Sequence, residues 1–151
     1  MKWLVLVHVL SALIGIGPTF FGHVLLRNNQ TLEQLRHSMK LAGRLDFFPK
    51  IGGTIAVITG ILLICLNDYG PVTQLWLIGS LVLYVLIQIV VIGFMAPTQK
   101  RLAKWVFDAS NLSKVELPQE QRAILSRANS LYYVASAMGL LLFVFMIIKP
   151  N

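Results

Sequence analysis

The sequence predicts an all-α fold: a four-helix transmembrane bundle with a cytoplasmic amphipathic segment. Three observations carry that prediction. Four apolar runs, at residues 3–26, 47–66, 75–96 and 131–148, each hold close to the roughly 20 residues that cross about 30 Å of hydrocarbon as a helix. Only 13% of the 151 residues are charged, while 56% are hydrophobic; an average soluble domain carries about 25% charged residues. Of the 13 lysines and arginines, all but Lys2 and Lys149 fall in the segments after the first and third runs. A backbone in lipid must satisfy its own hydrogen bonds, so the runs are read as helices. Together they form one integral membrane domain over residues 1–151, with no room for a separate soluble catalytic module.

Span one opens like a secretory leader, with Lys2 before an apolar stretch. The run continues through Gly15, Pro18 and Phe21 to Leu26 without a small-x-small site, so it reads as a span. Pro18, after Gly17, is expected to bend it. Residues 27–50 carry Arg27, Arg36, Lys40, Arg44 and Lys50. Leu32, Leu35, Met39 and Leu41 lie near one helical face there, with Thr31 to cap the segment and Gly43 to end it. That pattern fits a basic helix lying on the inner leaflet, and equally a helix extending span one or two.

Spans two and three are joined by Asn67, Asp68, Tyr69, Gly70 and Pro71, a strong turn signal without lysine or arginine. Ala103, Val106 and Phe107 continue span three past the membrane edge. Asn111, Ser113 and Lys114 read as a turn. Pro118 and Glu120 suit the first turn of a helix that runs on into span four.

Positive charge beside apolar spans orients them. Residues 27–50 and 97–130 are therefore expected in the cytoplasm, with both termini and the 67–74 turn outside, in a bacterial cytoplasmic membrane. The net charge of +7 then serves topology and anionic lipid head groups, not nucleic acid. The single cysteine, Cys65, allows no internal disulfide, and is expected to be a buried structural thiol.

Small residues let helices approach in lipid. Span one offers Ser11, Gly15 and Gly22, with Ala12 and Thr19 beside them. Span two offers Gly52, Ala56 and Gly60, and span four Ser136 and Gly139. These stripes predict a compact bundle; a homodimer or another membrane protein is the rival use of one of them.

Few polar groups lie where membrane chemistry would occur. His8 and His23 share span one, but stand about 60° apart around the helix and about 22 Å apart along it, too far to serve one iron. His8 is read either as an axial haem ligand or proton-relay group, or as a histidine bonded to a neighbouring span. His23 is read as an interfacial polar residue and His37 as solvated. Tyr84 and Gln88 share a face of span three; Asn129, Tyr133 and Ser136 share one of span four. Such stripes either line a cavity for a porphyrin or quinone or hold helices together. Lys50 either snorkels to the interface or pairs with a propionate or phosphate, and Arg44 and Asp46 are expected to pair locally. The candidate cofactor-binding set is thus His8, Arg44, Lys50, Tyr84, Gln88 and Tyr133, with haem b as the candidate cofactor and His8 as its iron ligand. No HExxH, Gly-rich phosphate loop or Ser–His–Asp set is present. No carboxylate lies within a span, which weighs against a proton- or cation-coupled transporter.

The opening HVLSALIGIGPTFFGHVLLR, the block MKLAGRLDFFPKIGGTIAVITGILL and the ending FMIIKPN resemble a bacterial family of predicted four-span integral membrane proteins of unknown function, which often close on Lys-Pro. More remotely, His8, Gly15, Gly17, Arg27, Met39, Arg44, Pro49, Thr59 and Gly60 are similar in placement to residues of the superfamily of copper-resistance D proteins and the J-type protoporphyrinogen oxidase. That similarity implies a haem- or porphyrin-binding role for His8. The chain departs from the superfamily in lacking a tryptophan after the first-span histidine and a lysine in span three, which argues against oxidase activity.

The leading expectation is a non-catalytic or accessory membrane protein that binds haem between spans through His8. A porphyrin- or quinone-dependent oxidoreductase is the second. A small transporter, or a structural subunit of a membrane complex, is the third.

Overall fold

The computed structural model describes residues 1–67 and 69–150; Asp68 of the predicted turn and Asn151 lie outside the described residues. The chain forms α1 (Lys2–Leu25), α2 (Leu32–Leu45), α3 (Phe47–Leu66), α4 (Leu75–Gln88), a π-helical segment (Ile89–Met95), α5 (Ala96–Val106), a single 3-10 turn (Ala109–Asn111) and α6 (Gln119–Ile148). No strand occurs among the described residues.

Four helical rods are long and apolar enough to cross a membrane: Lys2–Leu25, Leu32–Leu66, Leu75–Val106 and Gln119–Ile148. The last three hold 35, 32 and 30 residues, against the roughly 20 a bilayer requires. The excess lies at one end, where nearly all the lysines and arginines are. The rods therefore project from the bilayer and build a small folded head.

That head has the tightest core in the molecule. Leu26, Leu32, Leu35, Leu102, Val106, Leu117, Leu125 and Ala128 form one buried cluster, with Met39, Trp105, Ile124 and Tyr132 packed against it. Leu32, Leu35 and Met39 of α2 thus pack on protein, and of the two sequence readings the structure takes the helical extension. Leu41 is not on that face: nine residues at about 100° each put it opposite Leu32, where it is exposed. Thr31 caps α2 as expected, in a reciprocal capping box with Gln34. Gly43 does not end it: α2 runs to Leu45, and Asp46, in right-handed helical geometry, passes the chain almost directly into α3. Arg36 donates from Nη2 to the Asn111 carbonyl at 2.8 Å and from Nε to that of Val106 at 3.5 Å, the latter a carbonyl left open where α5 ends. On the turn that follows, the Ser110 hydroxyl and amide, which donate to the Asp108 carboxylate, hold its pKa below the usual carboxylate range.

Within the spans, α1 packs on α3 along one side and on α6 along the other, and α4 packs on α6. The order across the membrane is therefore α3, α1, α6, α4. Among the described residues α3 and α4, though joined by a short turn, are not packed along one another. Tightest is the α1–α3 seam. A Cβ at Gly15 would lie 2.7 Å from Gly53 N; one at Gly52 would lie 2.7 Å from Gly15 N and 2.8 Å from the Ser11 carbonyl oxygen. Only glycine permits backbones this close. Between α1 and α6, Gly139 receives Ile16 and Phe20, and Gly22 lies under the Tyr132 ring. Between α4 and α6, Gly79 lies under Phe145. The small-residue stripes are thus filled within the chain.

Two local features depart from the sequence reading. The π segment interrupts span three: Pro97 has no N–H for the Gly93 carbonyl, and Ala96 N–H reaches back five residues to the Val91 carbonyl. Cys65 is exposed, in the last turn of α3, so it is not a buried structural thiol.

Candidate functional site

The α1–α3 seam also holds a polar side chain, His8, that is bonded across it to α3. His8 lies seven residues, about two turns, before Gly15. The glycine contacts bring α3 close enough for the half-buried imidazole to reach its backbone. His8 Nδ1 lies 2.8 Å from the Ala56 carbonyl oxygen and 3.1 Å from Thr59 Oγ1. A carbonyl oxygen can only accept, so Nδ1 carries the proton. The Thr59 hydroxyl is 2.7 Å from the Ile55 carbonyl and 3.1 Å from that of Ala56. Donating its hydrogen to either leaves Oγ1 free to accept from His8. The ring edge rests on Gly60, where a Cβ would stand 3.0 Å from Cε1.

In the neutral ring, a proton on Nδ1 leaves the lone pair on Nε2. No hydrogen bond to Nε2 is present among the described residues. An imidazole that donates Nδ1–H to a backbone carbonyl while Nε2 stays free is the form in which histidine ligates a metal.

The other sequence candidates stand elsewhere. Lys50 is in the first turn of α3, nine residues before Thr59, and its Nζ pairs with Asp46 at 2.6 Å. Asp46 therefore pairs one turn forward, not with Arg44, which is exposed near the end of α2. Tyr84 and Gln88 are half-buried on α4, across α6 and α1 from His8 in the row of spans. Tyr133 is 56% exposed and stacks on His23, ring centroids 4.5 Å apart.

That second polar cluster closes the end of α1. Asn129 Nδ2 donates to the carbonyls of His23 at 2.9 Å and Leu26 at 3.1 Å. Gln30 Nε2 donates to that of Leu25 at 3.1 Å. Both side chains satisfy carbonyls that a helix end leaves open. Ser136 Oγ donates to Thr19 O at 3.2 Å, and Gln99 Nε2 to Tyr132 Oη. The stripe Asn129–Tyr133–Ser136 thus does mainly packing work. His23 Nδ1 is buried and has no partner among the described residues.

Thr59 and the Ala56 carbonyl are what residue-by-residue reading missed as partners of His8. Thr59, beside Gly60 on the small-residue face of span two, carried a detectable signal; a backbone acceptor carries none. Two open clefts, of about 460 and 390 Å³, lie in the head, the larger lined by Gln30, Thr31, Gln34, Glu116 and Arg122 among others. Among the described residues no group of three or more His, Cys, Asp or Glu is placed to hold a metal ion.

Four apolar helical rods, seamed by glycines, define a multi-pass α-helical integral membrane protein. The chain belongs to the family described as "Predicted integral membrane protein (DUF2269)", which matches residues 2–150. No curated protein and no solved structure matches it.

Proposed function

We propose that the protein is a non-catalytic haem-binding protein of the bacterial cytoplasmic membrane, in which His8 Nε2 would hold the haem iron. The observation that carries the reading is the 2.8 Å bond from His8 Nδ1 to the Ala56 carbonyl. It supports a ring with its proton on one nitrogen, its orientation held by Thr59 and Gly60, and its free lone pair on the other. The residues therefore fit the group in donor chemistry. Bound haem would supply an iron centre able to carry one electron; the chain's own part is to hold the imidazole oriented and in an apolar setting. His23 does not share that iron, being about 22 Å along the same helix.

The head is proposed to face the cytoplasm. Residues 27–50 and 97–130 hold eleven lysines and arginines against Glu33, Asp46, Asp108, Glu116 and Glu120. All eleven bases except Arg36 are exposed, which suits retention on the cytoplasmic side and contact with anionic lipid head groups.

The test is haemin titration of the purified protein in mild detergent. Wild type is expected to give a saturable Soret band at one haem per chain. His8→Ala should abolish it at unchanged helical content. Thr59→Val, which removes a bond to the far nitrogen only, should weaken binding about 10-fold or more. Equal haem uptake by wild type and H8A would remove the ligand assignment.

A further inference from the structure

The Lys-Pro near the end of the sequence marks the family resemblance but has no part in the His8 site. The structure gives it one. We infer that Lys149 is a latch: its ammonium is the resident ligand of an aromatic site made by Tyr69 and Trp76, and it locks α6 to the start of α4 at the end of the molecule away from the basic head.

The chain prepares both halves. Pro150 cannot continue α6, and a residue before proline is kept out of right-handed helical geometry. Lys149 takes not the extended geometry usual before proline but φ 49 and ψ 59, and among the described residues it is the one non-glycine with positive φ. Side-chain-bearing residues rarely adopt that conformation. It ends the helix and turns the chain at Lys149, whose side chain lies over the rings.

On the other half, the turn after α3 reverses through Gly70, at φ 79. Tyr69 and Trp76 pack edge to face with centroids 5.9 Å apart. Trp76 is only 6% exposed, and its indole N–H donates to Gln74 Oε1 at 2.5 Å, so its hydrogen-bonding edge is engaged and its face remains for the cation. Lys149 Nζ stands 5.0 Å from the Trp76 centroid and 5.4 Å from that of Tyr69. Both distances are within the roughly 6 Å over which a ring quadrupole attracts an ammonium. A lysine that merely snorkels to the interface needs neither the left-handed turn nor two ring faces. Just inside the latch, Phe145 lies on Gly79, so closure there continues directly into the α4–α6 packing.

The experiment reads Trp76 alone. The sequence has three tryptophans, and Trp3→Phe with Trp105→Phe leaves Trp76 as the sole emitter in the full chain. In that background Lys149→Met keeps the length and apolar stem but removes the charge, whereas Lys149→Arg keeps a cation that stacks on rings. K149M is expected to shift the Trp76 emission maximum and to raise its acrylamide quenching constant roughly twofold or more, with K149R close to the parent. Equal quenching and emission in the parent and K149M would overturn the latch, as would a loss in K149R as large as in K149M. Helical content by circular dichroism keeps a misfolded variant from counting as either result.

Discussion

Gly52→Ala is the smallest change that should open the α1–α3 seam. The added methyl would stand 2.7 Å from Gly15 N and 2.8 Å from the Ser11 carbonyl oxygen. Both are backbone atoms of a helix, so no rotamer change relieves the clash. Bringing these contacts to an ordinary separation of about 3.5 Å or more requires the helices to part by about 1 Å. Overpacking of this kind costs about 1–3 kcal/mol. Ala56 lies one turn beyond Gly52, so the same displacement stretches the 2.8 Å bond from His8 Nδ1 past the range of a hydrogen bond, adding about 1 kcal/mol. The sum, about 2–4 kcal/mol, corresponds to a fall in Tm of roughly 4–16 °C for a chain of this size. The assay is thermal unfolding in detergent followed by circular dichroism. Gly53→Ala is the control one residue away: a Cβ there meets nothing within 4 Å, so Tm should hold or rise slightly. If G52A and G53A melted together at the wild-type temperature, the close backbone approach, and with it the clamp on His8, would be wrong.

Asn129→Ala removes the donor to the His23 and Leu26 carbonyls and should cost about 1–3 kcal/mol, read as a lower Tm with haemin binding retained. Leu35→Ala, at a position 0% exposed in the head core, should cost about 2–5 kcal/mol; a loss below about 1 kcal/mol in denaturant titration would mean the head is not the packed unit described. A reporter fused after Asn151 should read as periplasmic, and one inserted at exposed Ser113 as cytoplasmic; the reverse pattern would overturn the proposed orientation.

Hydropathy alone placed the start of α3 at Phe47, its end at Leu66, the start of α4 at Leu75 and the end of α6 at Ile148, because lipid demands an unbroken apolar run and turns supply sharp edges. The basic ends were less legible. There α2, α5 and the start of α6 carry charges outward while Leu35, Leu102 and Leu125 are buried, a pattern that lipid-surface helices share. The π segment was hidden because Pro97 shows where a hydrogen bond is lost but not how the chain re-registers around it. Cys65 was misplaced because an apolar neighbourhood in a membrane helix points to lipid as readily as to protein. At the candidate site His8 could be picked out by type, and Gly52, Ala56 and Gly60 by spacing. Their meeting could not, since it depends on α1 packing on α3 on one side and α6 on the other. The row order also separates Tyr84 and Gln88 from His8, which a composition of polar residues in spans cannot reveal.

The most direct measurement is the visible spectrum, oxidised and dithionite-reduced, of wild-type protein expressed with a haem supply and purified in mild detergent. The account predicts a Soret band at one haem per chain and sharp α and β bands on reduction, both absent from H8A. A featureless spectrum from folded wild-type protein would contradict it, and His8 would then be a packing histidine that ties α1 to α3.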